Sequence, residues 1–503
     1  MANRDILLMK KTKTYKTFNR SIGSIHLLIY FITSFLVILF GSFNAKENFE
    51  SKKRSVTYFI DSRNGNDKNS GKSKRLPWKT LWRLQGTHLN PGDSVCLKRG
   101  SSFIGPLIIH NSGSADRYIV VTSYGSKKDP APSFTNPVFT EGNYGNCIRV
   151  KGDYVVIENL YFTGTPAYKQ IAYDSEGWVV WEMGAIHIER GAEQCVVRNN
   201  EIKDCVAGIR SNGEYAIIEN NYIHDCNRVL KQWNWGPLGI WVGADHQEIG
   251  YNKIINYSAV DPRIGWGADA YGSSADGGAI EIDDARYDKS DISIHHNYTR
   301  DCQGFLEVTW TDVKQKPSYK NFQIHHNVSD DYQQFIALWR GENCRIENNT
   351  IIRRKVNANE WGVFNITQLN SRNLIRNNIV VTENNVVVFN LGRKGTARPD
   401  NIITNNLYFA AKGKLKMGKE GPGDSAMFEN PLFKNYHHAV SAADFSISTK
   451  SPASDAGLDV GYEKDFAGTK IPQNGKADVG AFECKINETA STWNRLKPGP
   501  RSH

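Results

Sequence analysis

The sequence predicts an all-β protein, a right-handed parallel β-helix solenoid of about nine or more coils with N- and C-terminal capping segments. Three observations predict this fold. A short strand motif that ends in asparagine recurs along the 503 residues, its spacing returns to 21 or 22 residues, and no helical periodicity competes with it. Each repeat is too small to bury its own apolar face, so the repeats must stack around a continuous core.

The repeat becomes visible when the chain is aligned on itself. Its copies are "VVIENLYF" from Val155, "CVVRNNEI" from Cys195, "AIIENNYI" from Ala216, "QEIGYNKI" from Gln247, "ISIHHNYT" from Ile292, "FQIHHNVS" from Phe322, "CRIENNTI" from Cys344, "NLIRNNIV" from Asn373 and "NIITNNLY" from Asn401. The second asparagine slot falls at Leu160, Asn200, Asn221, Asn252, Asn297, Asn327, Asn349, Asn378 and Asn406. Asparagine suits this slot because it tolerates a left-handed turn and its amide can hydrogen-bond to the amide one coil away. We therefore expect these asparagines to support the scaffold rather than the site.

Changes in composition along the chain predict four segments. Residues 1–45 combine a basic leader with the apolar run Ile25–Gly41, which is typical of a signal peptide or a membrane anchor. Residues 46–140 should form the N-terminal cap and the first coils, residues 141–425 the β-helix with an active-site groove, and residues 426–503 the C-terminal cap. The protein is therefore expected to be exported and periplasmic, cell-surface or secreted, with membrane contact only if the N-terminal segment stays uncleaved.

Charge and cysteine usage exclude other classes of protein. Residues 1–45 hold six Lys or Arg and one Asp, so they carry +5 of the net charge of +10 and leave +5 for the rest. That remainder is scattered, so nucleic acid is not an expected partner. Cys205, Cys226 and Cys302 each follow the slot asparagine by five residues, which predicts buried thiols in core columns. Cys205 and Cys226, on adjacent coils, are the pair that could form a disulfide.

A second strand precedes each asparagine turn, and these strands superpose without gaps. They are "GAIHIE" from Gly184, "AGIRSN" from Ala207, "LGIWVG" from Leu238, "GAIEID" from Gly278, "GFLEVT" from Gly304, "QFIALW" from Gln334 and "GVFNIT" from Gly362. Because side chains alternate along a strand, the third and fifth residues point inward and the fourth and sixth outward. The fourth-residue column is His187, Arg210, Trp241, Glu281, Glu307, Ala337 and Asn365. The sixth-residue column is Glu189, Asn212, Gly243, Asp283, Thr309, Trp339 and Thr367.

The two columns bring acidic side chains together. Glu281 and Glu307 should lie on neighbouring coils at the strand spacing of roughly 4.8 Å, with Asp283 beside them. Stacked carboxylates repel, so one of them should keep a proton near neutral pH, which is the arrangement that glycoside hydrolysis needs. A separation of about 5 Å suits a retaining mechanism and about 6.5 to 9.5 Å an inverting one, so both outcomes stay open.

Aromatic residues accompany the acidic patch. Tryptophan faces pack against the apolar faces of sugar rings, and several tryptophans lie in these strands or in the loops that enter them. The candidate substrate-binding residues are His187, Arg210, Trp235, Trp241, Trp266, Trp310 and Trp339. His187 and Arg210 could contact substrate hydroxyls or an acidic group, or they could be solvated surface residues.

Two stretches of sequence resemble known β-helix proteins. The terminal segments 57–84 and 430–484 resemble those of exported proteins of the pectin-lyase-like superfamily, which implies the fold and candidate covers for its ends. The stretch "GGAIEIDDARYDKSDISIHHNYTRDCQG" resembles the active coil of the chondroitinase B and alginate lyase family. By that resemblance Glu281 and Asp283 would hold calcium and Lys289, in a turn, would be the base. That family expects an arginine on the next strand, where this sequence has "GFLEVTW".

The acidic pair on successive coils is also similar to the Asp and Glu pair of β-helix glycoside hydrolases such as certain β-xylosidases. Under this resemblance Glu307 is the acid, Glu281 or Asp283 is the nucleophile or base, and Asp284 in the turn is a further candidate. The first expectation is therefore a glycoside hydrolase without a cofactor, acting on a polysaccharide or oligosaccharide. The alternatives are a calcium-dependent lyase acting on a uronic-acid polymer and a non-catalytic glycan-binding solenoid.

Overall fold

Short β-branched strands stack in parallel and form three long sheets. The computed structural model describes residues 54–140, 142–165, 182–227, 235–258, 276–284, 286–308, 318–354, 362–367, 370–390, 400–419, 421–473 and 475–484. Within them every strand pair of the three sheets is parallel, and helices are confined to short pieces. The predicted parallel β-helix is therefore confirmed.

The strands of the three sheets follow one another around each coil. The first sheet contains Thr57–Ile60, Ser94–Lys98, Ile119–Tyr124, Val155–Glu158, Val196–Arg198, Ile217–Glu219, Glu248–Gly250, Ser293–His295, Gln323–His325, Arg345–Glu347, Leu374–Arg376 and Ile402–Thr404. The second contains Ser102–Ile104, Ser133–Thr135, Tyr161–Thr163, Glu201–Lys203, Tyr222–Cys226, Lys253–Tyr257, Tyr298–Arg300, Val328–Asp330, Thr350–Arg353, Ile379–Thr382 and Leu407–Ala410. The third contains Leu107–Ile109, Ile148–Val150, Ile186–Ile188, Ala207–Ser211, Trp235–Val242, Asp276–Ile282, Leu306–Val308, Ile336–Trp339 and Phe364–Thr367.

Smaller elements complete the described part of the chain. They are the parallel strands Lys289–Ser290, Tyr319–Lys320 and Gly341–Glu342, the antiparallel pair Phe139–Thr140 and Asn143–Tyr144, the α-helix Leu81–Gln85, and the 3-10 helices Tyr436–His438 and Ala442–Phe445. One apolar core continues through the coils from Tyr58 to Tyr408. None of the eight cysteines, all of which lie in the described part of the chain, forms a disulfide, and all except the half-buried Cys96 are buried, as predicted for Cys205, Cys226 and Cys302.

The slot asparagines form a hydrogen-bonded ladder along the turn between the first and second sheets. The backbone N–H and the side-chain amide of Asn252 both donate to Asn297 Oδ1, at 3.0 and 3.1 Å. The same pair of bonds joins Asn297 to Asn327. The ladder continues in both directions to Asn200 and Asn406. The asparagines are thus scaffold residues, as predicted.

The left-handed turn residue is the one before the ladder asparagine, which corrects the sequence interpretation. Positive φ angles occur at Asn199, Asn220, Tyr251, His296, His326, Asn348, Asn377 and Asn405. The sequence analysis assigned both properties to one slot. In the structure, the first residue of the pair turns the chain and the second makes the ladder.

The C-terminal segment lies along the side of the solenoid, over the column of left-handed turns. Asn377 Nδ2 donates to the carbonyl of Leu458 (2.8 Å), and Asn405 Nδ2 donates to that of Ala456 (3.0 Å).

The chain divides into two compact units, residues 1–54 and 55–503, and the solenoid belongs to the second unit. The expected signal peptide or anchor at residues 1–45 lies outside the described residues, among which no helix is long and apolar enough to cross a membrane.

Four histidines from two "IHHN" repeats are packed where the C-terminal segment crosses these turns. His296 and His326 stack with ring centroids 5.3 Å apart, as do His295 and His325 at 5.2 Å. His296 Nε2 lies 3.1 Å from the carbonyl oxygen of Asp465. Burial, followed by the charge of His295, lowers the pKa of His296 from 6.5 to about 4. Burial likewise lowers the pKa of His326 and His325 well below the ordinary value.

Loss of one ladder residue should destabilise the solenoid. We expect Asn297→Ala to lower the free energy of unfolding by about 3 kcal/mol, because each buried polar group left without a partner costs about 1–3 kcal/mol. The urea midpoint measures this effect. Asn227→Ala, at an exposed asparagine, is the control and should unfold like the parent. Equal midpoints for the two variants would contradict the role of the ladder.

The buried histidines should make the protein acid-sensitive. The unfolded chain binds a proton at each ordinary histidine near pH 6.5, whereas the folded His296 resists protonation until about pH 4, so stability is lost as pH falls between these values. His296→Asn introduces asparagine, the residue found at the same turn in other coils. Between pH 7 and 4.5, we expect the free energy of unfolding of this variant to fall by about 1–3 kcal/mol less than that of the parent protein. Urea midpoints at both pH values test this, with the exposed His110→Asn as control. An unchanged acid sensitivity in His296→Asn would refute it.

Candidate functional site

The third sheet stacks the two outward columns in the predicted register. His187 pairs with Arg210, Arg210 with Trp241, and Trp241 with Glu281. Glu281 then pairs with Glu307, Glu307 with Ala337, and Ala337 with Asn365. The gap-free alignment of the seven strands is therefore confirmed, and it places Glu281 and Glu307 on adjacent strands with their Cα atoms in register.

The lower part of the fourth-residue column is buried, which excludes one of the two alternatives left open for His187 and Arg210, that of solvated surface residues. His187 is 1% exposed and Arg210 is 0% exposed. The Arg210 guanidinium lies over the ring of Trp241, 3.7 Å from its centroid, and Arg210 Nε donates to the carbonyl of Met183. The side chains of the column thus cover one another, because a planar guanidinium stacks on an indole.

Burial of Arg210 is tied to the carboxylates above it. Desolvation lowers the pKa of Arg210 to about 9, and the negative charges of Asp283 and Glu281, followed by those of Glu182 and Asp284, oppose that shift. Glu307 lies one strand further from Arg210 than Glu281 does.

The three candidate carboxylates differ in exposure. Glu281 is 3% exposed, whereas Glu307 and Asp283 are half-buried. The indole N–H of Trp241 donates to Asp283 Oδ2 at 3.3 Å. Trp241 therefore contacts Arg210 through its ring and an acidic side chain through its nitrogen, and it links the buried cation to the half-buried carboxylate.

Asp284 organises two arginines. Its carboxylate accepts from Arg286 Nε and Nη2 at 2.6 and 2.8 Å, and from Arg190 Nη2 at 2.9 Å. Burial alone would raise the pKa of Asp284, but the bonds to Arg286 and the neighbouring positive charges hold it below its ordinary value. Asp284 is 2% exposed and its φ angle is +70°, so the turn carries it inward beneath the guanidinium groups. The side chain thus neutralises and positions these cations.

Lys289 lies in the strand Lys289–Ser290 rather than in a solvated turn. The lysine is 1% exposed, and its ammonium donates to the carbonyls of Asp284 (2.7 Å) and Tyr287 (3.0 Å). Burial lowers its pKa to about 8, an effect opposed by the charges of Asp284 and Asp283. In this arrangement the ammonium holds the turn that carries Asp284.

A pocket of about 280 Å³ opens beside the columns, one strand below the carboxylates. It is lined by Glu182, His187, Glu189, Arg190, Asn212, Trp241, Asp284, Arg286 and Tyr287. The sequence analysis identified His187, Trp241 and Asp284 but missed the roles of Arg190, Arg286 and Glu182. Arg190 directly follows the sixth residue of its strand, and Arg286 stands three residues after Asp283, so a search of the residues just beyond the columns would have found both.

Of the other candidate tryptophans, Trp339 is the one whose side chain lies within the described part of the chain. Trp266 and Trp310 lie outside the described residues, and Trp235 begins the strand Trp235–Val242 with its side chain outside them. Trp339 is half-buried in the sixth-residue column, in register with Thr367. Their contribution to substrate binding stays a prediction.

Among the described residues, no group of three or more His, Cys, Asp and Glu side chains is arranged to hold a metal ion. Glu281 and Asp283, the expected calcium ligands, supply two carboxylates, and calcium takes six to eight oxygen ligands. Calcium binding by Glu281 and Asp283 in the lyase alternative stays a prediction.

Comparisons with known proteins support the fold and give a partial likeness in sequence. No family model matches the chain. A stretch of 91 residues is 35% identical to a lacto-N-biosidase of Bifidobacterium longum subsp. longum, which amounts to 17% of this chain and 6% of that protein. The chain thus matches a small fraction of the length of this relative.

Two solved structures resemble the solenoid. XylC in complex with xylose has a TM-score of 0.51 and 11% identity, over 86% of this chain and 99% of that one. The GH136 lacto-N-biosidase from Eubacterium ramulus has a TM-score of 0.43 and 15% identity, over 80% of this chain and 71% of that one. The likeness to XylC concerns the fold.

Removal of the Asp284 charge should weaken the site. We expect Asp284→Asn to lower the free energy of unfolding at pH 7 by about 1–3 kcal/mol, because two arginines lose their buried partner. Since the folded state lowers the pKa of Asp284 below 3.8, its contribution is present above that value and is lost as pH falls through the folded pKa. The gap in urea midpoint between parent and variant should therefore shrink from pH 7 to pH 3. The exposed Asp129→Asn is the control, and a gap independent of pH would contradict the assignment.

Proposed function

We propose that the protein is an exported carbohydrate-active enzyme that hydrolyses glycosidic bonds in a polysaccharide or oligosaccharide. The observation that carries this proposal is the in-register pairing of Glu281 and Glu307 on adjacent strands, beside Asp283. Two carboxyl groups that flank one bond are what glycoside hydrolysis requires. Export is supported by the apolar run Ile25–Gly41 behind a basic leader.

The surrounding charges divide the roles among the carboxylates. The guanidinium of Arg210 interacts electrostatically with Asp283 and Glu281, and a carboxylate next to a buried cation is proposed here as the nucleophile or the base. Glu307, further from that guanidinium and facing a neighbouring carboxylate, is the residue proposed to carry the proton to the leaving oxygen. The pair Glu281 and Glu307 corresponds to the retaining geometry, and the diagonal pair Asp283 and Glu307 to the inverting one.

The partial likeness to a lacto-N-biosidase and the resemblance to XylC in complex with xylose support a carbohydrate substrate. The described residues support the lyase alternative less than they support the hydrolase. Lys289, its proposed base, is buried and gives its ammonium protons to two carbonyls. A base needs access to the substrate proton, so Lys289 would have to leave both partners first.

Substitution of the proton donor tests the proposal. We expect Glu307→Gln to keep the fold and to lower kcat on a cleaved glycan by about 10²–10⁴-fold, the usual contribution of a general acid. Glu281→Gln and Asp283→Asn should show which of the two carboxylates acts together with Glu307. Substitution of the catalytic partner should lower kcat about as much as Glu307→Gln does, and substitution of the other carboxylate should lower kcat less. Glu201→Gln, at an exposed glutamate of the second sheet, is the matched control and should retain full activity.

The assay follows reducing ends and the ultraviolet absorbance of unsaturated uronate together, on neutral and uronic-acid polysaccharides, with and without a calcium chelator. Reducing ends without absorbance are expected. Absorbance that disappears with chelator would replace the hydrolase by the calcium-dependent lyase. Glycan binding without cleavage, unaffected by Glu307→Gln, would show a binding solenoid instead.

A further inference from the structure

Two arginines from separate coils line the pocket beside the columns, and one buried carboxylate holds both. Arg190 follows the strand Ile186–Ile188, and Arg286 lies in the turn after the strand Asp276–Ile282. The side chains of the two arginines are 41% and 55% exposed, whereas that of Asp284, which binds both, is 2% exposed. One negative charge thus faces two positive charges, and the three side chains together keep one positive charge at an exposed position.

The guanidinium of Arg190 is fixed by three contacts and keeps unused donors. Its Nη2 donates to Asp284 Oδ2 (2.9 Å) and to the carbonyl oxygen of Gly243 (3.1 Å), and its Cζ lies 4.0 Å from the ring centroid of Tyr287. Nε and Nη1 of Arg190 donate to no atom in the part of the chain that the structure describes. A planar cation that is already held in one orientation loses little conformational freedom when it binds a ligand. Arg190 is therefore preorganised to bind an anion.

The other charged side chains at the pocket do not cancel this positive charge. Glu189 accepts from Arg149 at 2.7 Å and lies 3.6 Å from Lys151 Nζ, and Arg149 also lies 3.9 Å from Glu182. These two carboxylates therefore have two cations of their own. Burial raises the pKa of Glu182, an effect that the charges of Arg210 and Arg149 oppose, so burial disfavours a negative charge there. Together with the two arginines and their shared carboxylate, cations outnumber carboxylates around the pocket.

We propose that this pocket is a subsite for an acidic substituent of the glycan, a carboxylate or a sulfate group, which Arg190 and Arg286 bind. A guanidinium group presents paired N–H donors that match two oxygen atoms of an oxyanion, and such charge-assisted bonds are stronger than neutral ones. Binding there would give the surplus positive charge the partner that the described residues do not supply. The volume of about 280 Å³ is near the lower limit of ligand pockets, which suits one substituted sugar ring rather than a chain.

The subsite borders the carboxylates that are proposed to act on the glycosidic bond. Asp284, which holds the two arginines, directly follows Asp283 in the chain. Trp241 lines the pocket, and its indole N–H donates to Asp283 Oδ2 at 3.3 Å. The acidic substituent is therefore expected on a sugar at or next to the cleaved bond. This inference names the substrate class of the proposed function and rests on that function for the position of the bond.

Binding of single sugars to a cleavage-deficient protein tests the subsite. Ligand-observed NMR on the full chain carrying Glu307→Gln would use glucuronate and galacturonate as carboxylate probes, and galactose 6-sulfate and N-acetylglucosamine 6-sulfate as sulfate probes. Glucose, galactose and N-acetylglucosamine are the neutral counterparts. We expect at least one acidic sugar to bind about tenfold more tightly than its neutral counterpart, and the probe that does so identifies the substituent. Raising the salt concentration from about 0.1 to about 1 M should weaken this binding, because the Debye length falls from about 10 to about 3 Å.

Substitution of each arginine locates the binding. Arg190→Gln and Arg286→Gln, added separately, should each weaken binding of the acidic sugar about tenfold, the effect of losing one hydrogen bond to a charged group, and should leave neutral sugars unaffected. Arg198→Gln is the matched control, because Arg198 is also 41% exposed and also forms an ion pair, at 2.8 Å with Glu158 of the first sheet. This control should bind the acidic sugar like the parent.

Acidic sugars that bind no more tightly than neutral ones would overturn the inference, as would acidic-sugar binding that is indifferent to both arginine substitutions, or no binding of any acidic sugar. Thermal unfolding of each variant shows whether a loss reflects misfolding, and the salt dependence needs no arginine substitution. The subsite and the proposed function can fail separately. Cleavage that requires Glu307 with a KM unchanged by Arg190→Gln would refute the subsite alone. Binding of an acidic sugar that depends on Arg190, without any cleavage, would refute the hydrolase and leave the subsite.

Discussion

The hydrogen-bonded asparagine ladder fixes the register on which the rest of the molecule depends. Within the ladder, the side-chain oxygen of each asparagine accepts two bonds from the preceding coil, and its backbone N–H and side-chain amide each donate one bond to the following coil, as Asn297 does between Asn252 and Asn327. A slip of one residue would place an apolar side chain against a buried amide and turn the outward face of the coil inward. Register is thus set at the turn, and the third sheet inherits it.

Fixed register explains how charged groups can be buried in the outward columns. Arg210, Trp241 and Glu281 lie on three consecutive strands, so the indole stands between a cation and an anion. The ring covers the guanidinium, and the carboxylates oppose its loss of charge. In the proposed mechanism, the charges near Glu307 are thus held by paired strands before substrate binds, which is the preorganisation that catalysis by charge requires.

The sequence was sufficient to predict the order of the residues in the columns, but it was insufficient to predict how deeply their side chains are buried. Period-two alternation and repeated turns align the seven strands uniquely, so the pairing of Glu281 with Glu307 could be predicted. Alternation gives the direction of a side chain and says nothing of what covers it, which is why the sequence left exposure to solvent open as one alternative for Arg210, a residue that is fully buried. The ion pair of Arg190 with Asp284 spans 94 residues, and its geometry depends on a turn that no periodicity describes.

The outward columns show how this solenoid can vary the side chains of one face while its scaffold stays the same. Residues in the outward columns add nothing to the core, so a column position can be a ring, a charge or a glycine while the ladder keeps its register. A glycine within a strand weakens that strand slightly, and its usual structural meaning is close approach of another group. At Gly243 that group is the Asn212 amide together with the Trp241 indole. The missing Cβ thus leaves space that the Asn212 amide and the Trp241 indole fill beside the pocket that both residues line, and the ladder keeps its register.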